Sequence, residues 1–332
     1  MTEAVAVPAP AATVVLLRPG PDGSEVLLIH RPATMAFGPG LHVFPGGRVD
    51  PEDADVASDE AAAAAARALG DNLPPDRALA VHRAAIREVQ EEVGISLAGI
   101  DELVPIAHWT TPAFMPRRFS TWFFVADLPT DAVPVFEAGE VAAHRWVTPE
   151  HALDQMATGE IAMWVPTTSV LERLIETGAS TAADVGRRIR MARIEPPRII
   201  HDDPVMIRWV FGAAGGLPGR TCETMLLGAR QFILVDPGDP SDEAVRLIDA
   251  VVARRQGAIS AIVLTRTDSD HAAAAEAIAI PLDVPVLVAP GAGRRLPYRT
   301  REVLDGESLP TDVDAHVRLD APGSGRLEVV TP

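Results

Sequence analysis

The sequence predicts an α/β protein built from two units, and three observations carry that expectation. Apolar runs bounded by Gly, Pro and Asp alternate with stretches of helical periodicity along the chain. At 332 residues the chain exceeds what one hydrophobic core usually covers. The net-positive stretch STAADVGRRIRMARIEPPR, 180–198, differs in composition from its flanks and reads as a linker, which places a boundary near residue 195 and gives units 1–195 and 196–332.

The first unit opens with ATVVLLR (12–18) and EVLLIHR (25–31), two strand-like runs joined by a PGPDGS turn, after an N-terminal lead with no basic segment of the signal-peptide kind. A loop comes next, PATMAFGPGLHVFPGGRVD (32–50), whose double glycine, Gly46–Gly47, suits a place where backbone approaches another group closely; a plain turn would also explain it. The next segment reads as an inserted helix with Ser58 or Asp59 as its cap, an alanine run of high helix propensity, and Gly70, Pro74 and Pro75 to end it. A second helix is expected from about Pro75 to Val93, stopped by Gly94, with Ala80, Val81, Ala84 and Val89 toward the core.

That second helix carries the chemistry. Glu88 and Glu92 lie four apart and Glu88 and Glu91 three apart, so on a helix the three carboxylates line one face. Like charges so placed repel, and a bound cation is the natural explanation. Oxygen-only ligands suit Mg²⁺ or Mn²⁺, while a solvated acidic face is the plainer alternative.

Beyond it, DELVPIAHWTTP and RRFSTWFFVADLP read as strands, the second entered through Arg117 and Arg118. HRWV reads as a further strand, TPEHALDQM as a helix capped by Thr148, and WVPTTSVLERLIETGAS as an amphipathic helix. In the second unit RQFILVDPG, AISAIVLTRTD and VPVLVAP are buried-strand patterns separated by helical SDEAVRLIDAVVARRQG and HAAAAEAIAI.

Composition narrows the function. The formal charge of −17 argues against nucleic acid or an anionic membrane as partner, and no apolar run is long enough to span a bilayer. The single cysteine, Cys222, rules out an intrachain disulfide and fits a reducing cytoplasm. The chain has no lysine, so any phosphate would meet arginine, whose planar fork matches it well.

Gly47 followed by REVQEEVGI at 87–95 resembles the signature of Nudix hydrolases, with one departure: residues 47 and 87 lie 40 apart, where the family's spacing is about fourteen and includes a further glutamate. The acids from Asp50 to Asp55 are where its substitute is expected. With LLIHR, FGPGLHVFPGGRVDPED, TPAFMPRRFSTWFF and VPTTSVLERL, the insertion resembles the coenzyme A diphosphatase branch, Nudix type nineteen, over residues 10–180. The resemblance implies an α/β/α sandwich around a mixed sheet. It also implies Mg²⁺ or Mn²⁺ on Glu88, Glu91, Glu92 and the Gly46 carbonyl, with Arg87 holding a carboxylate. Gly47 lines the substrate site, and the substrate is coenzyme A or an acyl-coenzyme A, split to 4′-phosphopantetheine or its acyl form and 3′,5′-ADP. Glu137 and Glu140 are candidates for general base or extra ligand, with a rim or structural role as the alternative. Arg31, Arg117 and Arg118 are candidates for the substrate phosphates, with a solvated role as the alternative. Hydrolysis of ADP-ribose, a nucleotide sugar or NADH is the second enzymatic reading; a non-catalytic nucleotide sensor is the rival from another class.

TMLLGARQFILVDPGDP, LTRTDSDHAAAAEAIA and LEVVTP resemble half of a metallo-β-lactamase fold. Its H-x-H-x-D-H metal motif aligns with Arg266, Thr267, Asp268, Ser269, Asp270 and His271, so the first two histidines are replaced. A guanidinium that cannot lose its proton works against a metal at that position. Asp270 and His271 read as remnants or helix-start residues, and the unit as non-catalytic, serving a homodimer or covering the first unit's site.

Overall fold

In the computed structural model the described residues are 6–35, 38–54, 58–111, 115–136, 141–189, 197–212, 221–321 and 324–331. The first unit holds strands β1 (Ala9–Gly20), β2 (Gly23–His30), β3 (His42–Val43), β4 (Gly46–Arg48), β5 (Val104–Thr110), β6 (Phe119–Asp127) and β7 (Ala143–Val147). Its helices are α1 (Asp59–Ala68), α2 (Pro75–Val93), α3 (Pro149–Ala157), α4 (Val165–Thr177) and α5 (Ala182–Arg188). The strands form one mixed sheet in the order β3-β2-β1-β6-β5. β4 lies along the first half of β1 and β2 along its second half, while β6 runs parallel on the other side. Val14, Val15, Leu16 and Leu17 of β1 are all buried, as expected of a strand covered on both faces.

Local chemistry accounts for the helices. Ser58 caps α1 by accepting from the Ala61 amide, and Thr148 caps α3 through the His151 amide. α2 starts with proline in its first turn and ends on Gly94 in the left-handed conformation, φ 69°. Ala80, Val81, Ala84 and Val89 are buried as their spacing predicts. The inserted helix buries Ala65, Ala66 and Leu69 in the same core, so the insertion is packed against the domain. The stretch expected to be linker is in part a helix: α5 buries Val185 in the first core, because the run is amphipathic as well as basic. Residues 190–196, where the boundary was expected, lie outside the described residues.

The second unit contains β8 (Arg198–Asp202), β9 (Met206–Gly212), β10 (Thr221–Leu227), β11 (Gln231–Val235), β12 (Ala258–Val263), β13 (Val286–Val288), β14 (Arg301–Glu302), β15 (His316–Leu319) and β16 (Leu327–Val330). Its helices are α6 (Asp242–Arg254), α7 (Ser269–Ala272) and α8 (Ala275–Leu282). β8 to β14 form a second sheet in strict sequence order, antiparallel up to β11 and parallel from there, and β15 pairs with β16. No helix among the described residues is long and apolar enough to cross a membrane.

Candidate active site

Pairing of β4 with β1 sets Gly46 opposite Thr13 and Gly47 opposite Ala12. Gly46 has φ +155°, and a Cβ there would lie 2.3 Å from the Ala12 carbonyl oxygen. A Cβ on Gly47 would lie 2.4 Å from Glu88 Oε1. The two glycines therefore answer different needs: the first lets β4 approach β1, and the second leaves room for the Glu88 carboxylate. The Gly46 amide donates to Glu92 Oε2 at 2.8 Å, and Glu92 is buried.

Arg87 sits at the centre of the acids. Its Nε and Nη2 grip the two oxygens of Asp53 at 3.2 and 3.0 Å, Nη2 also donates to the Arg48 carbonyl at 2.8 Å, and Nη1 donates to Glu88 and Glu91, each at 2.9 Å. Asp50 lies 3.6 Å from Nη2. The bidentate fork to Asp53, which is 5% exposed, is the strongest of these contacts. Donation of its hydrogen bonds to Asp53 raises the Arg87 pKa against the effect of burial, with Glu88 adding to the rise. Burial pushes the Glu88 carboxyl above its ordinary range; Arg87 pulls it down, while Glu91 and Asp50 push it up further. Of the described acids in the stretch from Asp50 to Ala54, the one that the guanidinium grips through both oxygens is thus Asp53. A 3₁₀ turn at Pro51–Ala54 holds it in place, and the turn is closed by the Asp50 amide on Asp53 Oδ2. The sequence signal was a Pro-Glu-Asp stretch just after the double glycine.

The donor set suits a hard divalent cation: carboxylate oxygens only, with a backbone cradle that a side chain at Gly47 would fill. Among the described residues no three His, Cys, Asp or Glu side chains converge closely enough to hold a cation as they stand. Arg87 lies between Glu88 and Glu91, and Glu91 remains half exposed.

The other candidate residues separate. Glu137 and Glu140 lie outside the described residues. Arg117 is exposed at the entry to β6. Register places that entry near the carboxylates: the Ala9 amide bonds the Arg118 carbonyl, and the Val49 amide bonds the neighbouring Pro10 carbonyl. The two positions lie on strands flanking β1, about 10 Å apart across the sheet. Among the described residues the buried Nε of Arg31 has no hydrogen-bond partner, nor has Nδ1 of His42, which stacks on His30. Arg118 corrects its expectation. Its side chain is 2% exposed and donates to the Thr111 and Ala6 carbonyls and to both oxygens of Asp242, so its nitrogens are taken up by protein and it cannot greet a substrate phosphate from this position.

In the second unit His271 Nδ1 lies 2.9 Å from Asp236 Oδ2, Thr265 donates to both Asp236 oxygens, and Arg266 pairs with Asp268 at 2.8 Å. Burial alone would lower the His271 pKa, but Asp236 and then Asp268 outweigh it and raise it.

Residues 76–167 match the NUDIX domain model. Nudix hydrolase 7 of Caenorhabditis elegans is 28% identical over 165 residues, 45% of this chain and 55% of that protein. A Nudix hydrolase of Deinococcus radiodurans is 30% identical over 76 residues, 23% of this chain and 42% of that protein. The chain thus spans about half the length of the curated relatives it matches. Among solved structures, a NUDIX hydrolase from Alicyclobacillus acidocaldarius aligns with 26% identity and a TM-score of 0.45, covering 53% of this chain and 95% of that one. The NUDIX domain of Shewanella oneidensis NrtR, solved with ADP ribose, aligns with 14% identity and a TM-score of 0.36, covering 53% and 92%.

Proposed function

We propose that this chain hydrolyses the diphosphate bond of a nucleoside diphosphate derivative at the α2 carboxylates, with coenzyme A or an acyl-coenzyme A as the leading substrate. The observation that carries the reading is the surplus of acid around Arg87: Asp50, Asp53, Glu88 and Glu91 share one guanidinium, in a domain matching the NUDIX model. Glu88, Glu91 and Glu92 are the proposed holders of Mg²⁺ or Mn²⁺, with the Gly46 carbonyl beside them. When bound, such a cation neutralises diphosphate charge and supplies a nucleophilic water at neutral pH.

The chain's own groups have separable parts. Arg87, clamped by Asp53, keeps α2 registered on β4 and orients Glu88 and Glu91, two of the carboxylates that would hold the cation. The Gly46 amide fixes Glu92. Burial raises the Glu88 pKa, and Arg87, donating to its carboxylate, favours the charged form. Arg117 at the β6 entry and Arg31, whose Nε has no partner among the described residues, are the proposed contacts for the substrate's phosphates. The coenzyme A preference is supported by the pieces flanking the box, and the second unit, with its paired charges, is proposed to be non-catalytic.

The test is a panel of coenzyme A, ADP-ribose and NADH with Mg²⁺ and Mn²⁺, with product masses measured. Release of 3′,5′-ADP and 4′-phosphopantetheine with coenzyme A as the best substrate is the expected result. Faster turnover of ADP-ribose or NADH moves the assignment to that class, and no turnover of any member sinks it.

A further inference from the structure

The two units meet through charge that neither could bury alone. Arg118 belongs to the first sheet, yet its carboxylate partner, Asp242, is in the first turn of α6 in the second unit. A guanidinium only 2% exposed is costly to leave uncompensated, so the first unit needs Asp242 to bury it. The remaining Arg118 nitrogens tie Thr111, just past the end of β5, and Ala6, just before β1. The backbone around it is knitted as well: Ala9 N to Arg118 O, Thr111 N to Phe119 O, and Phe119 N to Thr111 Oγ1.

A second contact supports the first. α7 carries the segment that resembles a degenerate metal motif, and it packs on α4: the Ser269 amide donates to Glu172 Oε2 at 3.2 Å, and Ala273 joins the first unit's core.

We infer that the second unit is a built-in partner of the first, and that Asp242 acts through Arg118 as a positioning residue for the Arg117–Arg118 entry beside the carboxylate site. The functional half of this inference rests on the proposed hydrolase reading; the structural half does not.

Hydrogen–deuterium exchange on the full chain tests it, comparing wild type with Asp242→Asn, Asp242→Glu, Arg118→Lys and Glu243→Gln. Asp242→Asn and Arg118→Lys should speed exchange of the Ala9, Thr111 and Phe119 amides about tenfold, with Asp242→Glu restoring most of the protection. Glu243 shares the first turn of α6 and is exposed, so Glu243→Gln loses the same helix-terminus charge and should leave those amides unmoved. Unchanged exchange in both Asp242→Asn and Arg118→Lys, or an equal rise in Glu243→Gln, overturns the inference. If Asp242→Asn does not fold, the Arg118→Lys and Glu243→Gln pair decides it alone.

With the best substrate, KM in Asp242→Asn should rise about fivefold with kcat within about twofold, the mark of a displaced binding group. A fall in kcat alone overturns the positioning role. If exchange responds as stated but the wild-type chain turns over no member of the panel, the hydrolase reading fails and the coupling between units stands.

Discussion

Two polar clusters in this protein begin from similar parts and end differently. Around Arg87, several carboxylates share one cation, and Glu91 reaches solvent. Around His271, charges close on one another: Asp236 takes the imidazole and the Thr265 hydroxyl, and Arg266 takes Asp268. A cluster with unspent negative charge has use for a further cation, whereas one whose charges are already matched has little. The number of acids in a motif is therefore less telling than how many of them the protein has neutralised itself.

Removing one charge from each cluster should have opposite consequences. Glu92→Gln, which keeps an acceptor for the Gly46 amide, should lower metal-dependent turnover about a thousandfold while the melting temperature stays close to wild type. Asp236→Asn should do the reverse, leaving turnover intact and costing about 3 kcal/mol in denaturant unfolding, since Asp236 is buried and accepts from three groups. Equal losses of turnover in both would erase the distinction.

A comparison within the first cluster gives the next largest effect. Gly46→Ala drives a methyl into the Ala12 backbone and should cost about 3 kcal/mol or prevent folding. Gly47→Ala meets only the movable end of Glu88, so stability should fall by less than about 1 kcal/mol while turnover drops roughly tenfold or more. Thermal melts and kinetics on the same two proteins separate the roles.

The smallest effect is a pH dependence. Because the folded-state pKa of His271 is raised, the stability its pair with Asp236 contributes is fully present below the unfolded value of 6.5 and is lost as pH rises through the higher folded value. Denaturant midpoints measured from pH 6 upward should fall in wild type, and this fall should be shallower in His271→Gln. A slope unaffected by the substitution would mean that the pair is not what titrates.

Much of the first unit was legible because its signals are local. Ser58, Thr148, Pro75 and Gly94 mark helix ends through chemistry that acts within a few residues, and the aromatic-rich apolar run at 119–127 writes β6 directly. The acids of α2 were legible for the same reason, since helical spacing alone puts them on one face. The hidden features depend on distant partners. Asp53 is one of several acids after the double glycine, and only the folded position of Arg87, 34 residues on, selects it. Arg118 looked like a phosphate contact because its partner lies 124 residues away, in the first turn of α6. α5 was masked by its basic residues, its burial being visible only once β5 and β6 are in place to receive it.

The interval between Gly47 and Arg87 can be viewed as a problem in polymer physics. The Asp53–Arg87 fork closes a chain segment of 34 residues whose ends the protein must bring together. Closure entropy grows only with the logarithm of length, so stretching the glycine-to-arginine interval from about fourteen to 40 positions costs about 1 kcal/mol. Burial of Ala65, Ala66 and Leu69 is of a size to offset that. Once Asp53 and the double glycine stay on the near side of the insertion, the length of the inserted stretch is nearly free to drift, and a tether placed there can change without the acids around Arg87 registering it.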